Sequence, residues 1–318
     1  MKRRTVLLAG GAATLIAAVV AGGVATSEAA VKPKAAVAGG APYIYPAVGG
    51  KVDPVAAMKK TGVKAYTLAF ILAKGGCNPA WDGSAALTSA AHKNRINSIR
   101  AAGGDVVISF GGYSGPKLGN ACSNETQLAA AYQKVIDAYQ LKVIDIDLED
   151  GGPANQNEVG QSQKVLKALK IVKQKNPGIT TVMTLGVGPK GLEGNEAPVP
   201  GQAAKLGDPV DIWTIMPFDF GMGGKPDMGK VSLDASEGLH RQLKNAFPGK
   251  SDAQIYAQQG ISSMNGKTDV PGENVTVKNF ETMLAYCEQH KLARFTYWEL
   301  NRDNANLDYT KVIGRFKG

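Results

Sequence analysis

A chain of 318 residues with 44% hydrophobic and 20% charged side chains can bury a large core, which excludes a disordered protein. The formal net charge is +9, but lysines such as Lys164, Lys167, Lys170 and Lys173 recur at helical spacing. They read as solvated helix faces, so no nucleic-acid groove is expected.

The chain opens with Lys2-Arg3-Arg4, an apolar Ala/Gly/Val/Leu run from Val6 to Ala25, and Ser27-Glu28-Ala29-Ala30. That is the layout of a signal peptide over residues 1–30, with cleavage expected after Ala29 or Ala30. An uncleaved membrane anchor is the alternative, although Gly and Ala make the run weakly hydrophobic. Arg3-Arg4 before Val6-Leu7-Leu8 is also compatible with twin-arginine export. Either export route predicts a secreted, extracellular protein with no stable membrane association after residues 1–30 are removed. Residues 31–40 carry Ala, Lys, Pro and Gly without a periodic pattern and read as a linker.

From residue 41 to 318, strands and helices alternate. Expected strands are 43–45, 66–72, 106–110, 143–148, 181–187, 212–218, 255–258 and 295–298. Helices lie between them. One begins with Asp53 as N-cap and Pro54 at its first position and stops at Gly62; another spans about Gln161 to Lys175, with Val165, Leu169 and Val172 on one face. Eight such units match an α/β fold of the single (β/α)8 TIM-barrel type. An open doubly wound sheet is the competitor, but Gly49-Gly50 is too weak a phosphate-loop signal for it.

Three cysteines in an exported chain suggest one disulfide and one leftover thiol. Cys287 falls on a helical apolar stripe and reads as buried. Cys77 and Cys122 sit in loops directly after expected strands and are the natural pair. His92, His240 and His290 all fall in helical segments, which argues against a Ser-His-Asp triad or a His-based metal site.

The most informative segment is Val143-Ile144-Asp145-Ile146-Asp147-Leu148-Glu149, in which aliphatics and acids alternate. A strand's period of two puts the three carboxylates on one face, ~7 Å apart, and the aliphatics on the other. Inside a barrel such a row cannot ionise fully, so protons must be shared along it. That cost makes sense if Glu149 keeps its proton to act as a general acid. A Ca²⁺ loop shares the Asp-x-Asp spacing but needs glycine where this chain has Asp150.

With this row, Ser109-Phe110-Gly111-Gly112, Met216-Pro217-Phe218-Asp219 and Trp298 follow in order at expected strand ends. Together they resemble the signatures of glycoside hydrolase family 18, in its bacterial chitinase branch. The resemblance implies hydrolysis of β-1,4-linked N-acetylglucosamine polymers by a substrate-assisted retaining mechanism, an exception to the two-carboxylate scheme. It implies Glu149 as acid, Asp147 on the substrate's acetamido N–H and Asp145 supporting Asp147. Asp219, Met216, Phe218, Ser109 and Gly111 would shape the sugar site, and Trp298 would stack on the sugar ring. No cofactor or metal is implied. The expected partner is chitin or a chitooligosaccharide, and the expected state a monomer.

Two positions depart from the family pattern. Lys142 stands where many members carry a further Asp. Phe218 replaces a tyrosine, removing a hydroxyl donor that Gln258 or Asn265 would have to replace. Ala293 follows Gly266 by only 27 positions, too few for an inserted wall domain, so a shallow cleft and endo cutting are expected. Two other functions remain open: a non-catalytic, lectin-like chitin-binding barrel, and an endo-β-N-acetylglucosaminidase acting on glycoprotein glycans.

Overall fold

A computed structural model describes residues 36–149 and 158–318. The expected signal peptide, the first half of the expected linker and Asp150 lie outside the described residues. Among the described residues no helix is long and apolar enough to cross a membrane.

Local chemistry sets the elements. At α1 (Pro54–Thr61) the Asp53 carboxylate accepts from the Ala56 N–H at 2.7 Å, Pro54 opens the helix, and Gly62 ends it at φ +81°. The same alternation continues through β1 (Tyr43–Ile44), β2 (Ala65–Ala73), β3 (Pro79–Trp81), α2 (Ala90–Ala101) and β4 (Asp105–Gly111). Then come α3 (Leu118–Ala121), α4 (Glu125–Tyr139), β5 (Val143–Leu148), α5 (Ser162–Lys175), β6 (Thr180–Gly186), α6 (Val199–Lys205) and β7 (Ile212–Met216). The chain finishes with α7 (Met228–Ala246), α8 (Asp252–Tyr256), β8 (Gln259–Met264), a hairpin of β9 (Gly266–Lys267) and β10 (Asn274–Val275), α9 (Val277–His290), β11 (Arg294–Trp298) and α10 (Asp308–Ile313).

Eight strands pair in parallel in the order β1-β2-β4-β5-β6-β7-β8-β11, with β3 folded back antiparallel on β2. The seam closes through the segment before β1. Phe295 N–H donates to Gly39 O at 3.2 Å and the Thr296 hydroxyl to Ala41 O at 2.6 Å. The result is a nearly closed (β/α)8 barrel with helices outside.

Period-two alternation divides every strand between two environments. Ile144, Ile146 and Leu148 of β5, with Met183, Leu185, Trp213 and Ile215, face outward into the helix-packed core. Inward residues form layers. The lowest is apolar, built from Ala38, Ala41, Ala65, Val107, Val143, Val182 and Ile212. Arg294, fully buried beside it, donates to Ala38 O at 2.6 Å and to the Thr67 hydroxyl at 2.7 Å. Residues 36–40, the end of the segment read as a linker, thus belong to the barrel floor. Above lies a layer of small hydroxyls, Thr67, Ser109, Thr184, Thr214, Ser262 and Thr296, all buried, around the single acid Asp145.

The seventh barrel strand differs from expectation. Residues 255–258 lie at the end of α8 and just beyond it, and the strand is Gln259–Met264. Ser251 and Gln254 form a capping box that starts a helix there. The true strand, Gln259-Gly260-Ile261-Ser262-Ser263-Met264, has too few β-branched residues to announce itself. Cys77 and Cys122 are joined in a disulfide, and Cys287 is a free thiol buried in α9.

Candidate active site

The top layer of the barrel interior carries Gly111, Asp147, Met216, Met264 and Trp298 at the C-terminal strand ends, where barrel enzymes place their chemistry. Above it opens a cleft of about 510 Å³. Asp147, Glu149, Met216, Phe218, Asp219 and Trp298 all line it, so β5, β7 and β11 and the segments just after them converge there.

Three layers support the acidic row. Asp145 is fully buried and accepts from Tyr43 Oη and Ser109 Oγ, each 2.7 Å from Oδ2, and from Thr184 Oγ1, 2.7 Å from Oδ1. Asp147, one pleat higher and also buried, has no hydrogen-bond partner for Oδ1 among the described residues. Burial pushes its carboxyl well above the usual carboxylate range, and the charges of Glu149 and Asp145 push the same way. Glu149 is pushed up to about 7, first by burial and then by Asp219 and Glu196, while the Lys117 cation pulls it down. Asp147 therefore holds its proton more tightly than an ordinary carboxyl, and Glu149 titrates close to neutral pH.

Gly111 explains itself by close approach. It lies opposite Asp147 in the parallel register, at φ +100°, and a Cβ there would stand 2.1 Å from Asp147 O. Its neighbour Gly112 donates its N–H to that same oxygen at 2.9 Å. Ser109 reaches no part of the cleft and acts on Asp145 instead.

Aromatic side chains form one wall. Trp298 stacks on Phe70 with ring centroids 5.5 Å apart at 14°, and Tyr45 and Tyr43 lie 5.5 and 5.8 Å from it. Tyr45 and Tyr113 are exposed at the rim. Such a surface suits the apolar face of a sugar ring. On the opposite wall, Asp219 sits at φ +57° and accepts from the N–H groups of Asp269 and Val270 at 2.9 and 3.0 Å. Buried Glu273 accepts from Phe220 and Gly221 N–H, so the loop after β7 and the β9–β10 hairpin loop form one wall.

Gln258 is not at this site. It precedes β8 at the opposite end of the barrel, where its Oε1 accepts from Lys250 Nζ at 2.6 Å and its amide faces Asp208. The misplacement follows from the misread seventh strand. Asn265 does lie at the correct end but is buried behind Trp298, its Oδ1 accepting from Glu299 N–H at 3.2 Å. Lys142 is exposed at the lower end, 3.6 Å from Asp105, away from the acidic row. Sequence reasoning missed Tyr43 as the donor to Asp145. It also missed the buried pair Lys117 and Glu158 and the cleft acids Asp82 and Asp269. Only Tyr43 carried a signal, as an inward position on the first strand.

No protein-family model matches the chain. The chain superimposes on the crystal structure of the catalytic domain of a hyperthermophilic chitinase from Pyrococcus furiosus with a TM-score of 0.75 and 30% identity, over 87% of this chain and 93% of that one. A structure of catalytic-site mutants of active domain 2 of the thermostable P. furiosus chitinase, complexed with chito-oligosaccharides, matches over the same shares at 29% identity and a TM-score of 0.76. Among curated proteins, the chain is 30% identical over 274 residues to a probable bifunctional chitinase/lysozyme of Escherichia coli (strain K12). It is 29% identical over 272 residues to endochitinase 11 of Metarhizium anisopliae. Each match takes in 83% of this chain but only 30% and 52%, respectively, of the relative's length.

A (β/α)8 barrel with a buried acidic row beneath an aromatic-walled cleft is the frame of a glycoside hydrolase. The chain belongs to the family 18 chitinases.

Proposed function

We propose that this protein is a secreted, endo-acting chitinase of the bacterial branch that hydrolyses β-1,4-linked N-acetylglucosamine polymers with retention. The observation that carries the reading is Glu149 at the cleft floor beside Asp147 and Asp219, with a proton affinity raised into the neutral range by burial.

Glu149 gives its proton to the glycosidic oxygen as the substrate's own 2-acetamido carbonyl attacks the anomeric carbon; the C1–O bond breaks, the departing sugar leaves as an alcohol, and an oxazolinium ion remains. Asp147, in its ionised form, accepts the acetamido N–H and offsets the developing positive charge. Asp145 holds Asp147's surroundings from the hydroxyl layer below. Glu149, now a carboxylate, draws a proton from the water that opens the ring and is reset. Trp298 supports the sugar ring, with Met216 and Phe218 lining the acetamido side and Asp219 fixing the group. Phe218 offers no hydroxyl to the acetamido oxygen, so transition-state support there is weaker than a tyrosine would give.

Endo cutting rests on the short connection between β8 and α9, which holds the small hairpin and no inserted domain. Export rests on the signal-like residues 1–30, and a monomer is the simplest state for an open cleft of this kind. Release of reducing ends from colloidal chitin, or of fluorophore from a chitobioside, by the wild type but not by Glu149→Gln is the test. Release by neither protein would leave the lectin-like reading standing. Faster cleavage of a mannosylated chitobiose core than of chitotetraose would favour the glycoprotein-glycan reading instead.

A further inference from the structure

Behind the acidic row lies a second charged group that the proposed reaction does not use. Lys117 is 1% exposed, which is rare for a lysine. It immediately precedes α3, and its ammonium donates to the carbonyls of Gly112 and Ser114, with Gly111 O at 3.4 Å. These are the residues that wrap the Asp147 backbone, since Gly112 N–H donates to Asp147 O.

Glu158, 2% exposed, enters from the loop between β5 and α5. Its Oε1 accepts from Gly119 N–H at 2.6 Å, and its Oε2 has no partner among the described residues. The chain makes room for it. A Cβ at Gly119 would stand 2.3 Å from Oε1, and one at Gly111 would stand 3.1 Å from Oε2. One carboxylate thus touches both the loop after β4 and the strand end opposite Asp147.

We propose that Lys117 and Glu158 are positioning residues for the cleft: a buried cation and a buried carboxylate behind Gly111 and Gly112 that hold the Asp147 backbone and set the field in which Glu149 releases its proton. The inference rests on the reading of Glu149 as the acid. Lys117 faces Glu158, Glu149 and Asp147. Glu149 faces Lys117, Asp219, Glu196 and Asp147. Glu158 faces Lys117, Lys164 and Tyr132. Within this set Lys117 is the cation that acts on both members of the row. Burial lowers the proton affinity of Lys117, and the three acids around it restore part of the loss. Removing its charge must raise the proton affinity of Glu149. Glu158, to the extent that it is ionised, offsets that cation, so removing its charge is expected to lower that affinity.

The opposite signs give the test. The Glu149 carboxyl is followed by ¹³C NMR titration, its resonance assigned by loss in Glu149→Gln, and kcat/KM for a chitobioside is measured across pH. In Lys117→Met and Lys117→Gln the midpoint of Glu149 is expected to rise by about one pH unit, a tenfold change in proton affinity. In Glu158→Gln it is expected to fall. The loss of kcat/KM should lie in kcat. Unmoved midpoints in folded variants, or shifts of the same sign in both sets, overturn the proposal. Where the Lys117 variants fail to fold, Glu158→Gln alone decides it by the direction of its shift. The titration needs no turnover, so an inactive wild type would count against the chitinase reading and leave this test intact.

Discussion

The phenol of Tyr43 donates a 2.7 Å hydrogen bond to Oδ2 of Asp145, joining the first barrel strand to the acidic row 102 residues later. Ser109 donates to the same oxygen, also at 2.7 Å. The deepest acid is therefore held by hydroxyls from its neighbours across the barrel. Tyr43→Phe removes one donor from a buried carboxylate and should destabilise the protein by about 1–3 kcal/mol, read from urea unfolding. Ser109→Ala should act in the same sense. Because both donors serve one oxygen, the double variant should depart from additivity.

Glu149→Gln keeps the shape of the cleft but cannot give up a proton. A general acid contributes about 10²–10⁴-fold, so turnover of a chitobioside should fall by at least that range. Binding of chitooligosaccharides, measured by calorimetry, should persist, since Trp298 and the aromatic wall are untouched. Trp298→Ala should show the reverse, weaker binding before slower chemistry.

The pH profile follows from the same residue. With Glu149 at about 7, kcat/KM should fall as pH rises through 7, because the acid form is lost. Stability should also decline as pH rises. Glu149 and Glu158 both bind protons more tightly folded than unfolded, where a glutamate titrates near 4.5. Their contribution is complete below about 4.5 and is lost as pH climbs to about 7. The unfolding free energy from urea titrations should thus drop between pH 5 and pH 8 by roughly 2–3 kcal/mol per buried glutamate at most. Glu158→Gln should flatten that slope.

Gly111 and Asp147 are in direct backbone contact, so Gly111→Ala should be among the most damaging single changes in the chain. Its Cβ would stand 2.1 Å from Asp147 O at a φ of +100°. Strain of both kinds should cost at least about 3 kcal/mol and displace β5 under Glu149. Gly49→Ala also falls at positive φ but meets nothing within 4 Å, and it serves as the control.

Much of this architecture was legible because alternation on a strand is a direct record of two environments. The row from Asp145 to Glu149 announced an inward acidic face, and Asp53-Pro54 with Gly62 marked a helix to the residue. The seventh strand hid because its inward positions, Gly260, Ser262 and Met264, face other strands in the barrel rather than a hydrophobic core. The adjacent capping box made a helix beside it the stronger local signal. Lys117 and Glu158 were invisible for a different reason. A lysine after Pro116 and a glutamate after a polar loop read as solvated, and only the long-range fold withdraws them from water.

Asp219 owes its place less to the strand it follows than to the two amides of the hairpin that grip it. With Glu273 fastening Phe220 and Gly221 from the same hairpin, the loop after β7 and the hairpin are bound to each other at both ends of the contact. Anyone reshaping this cleft would have to transplant both segments together, since grafting one alone would leave the Asp219 carboxylate without its anchor.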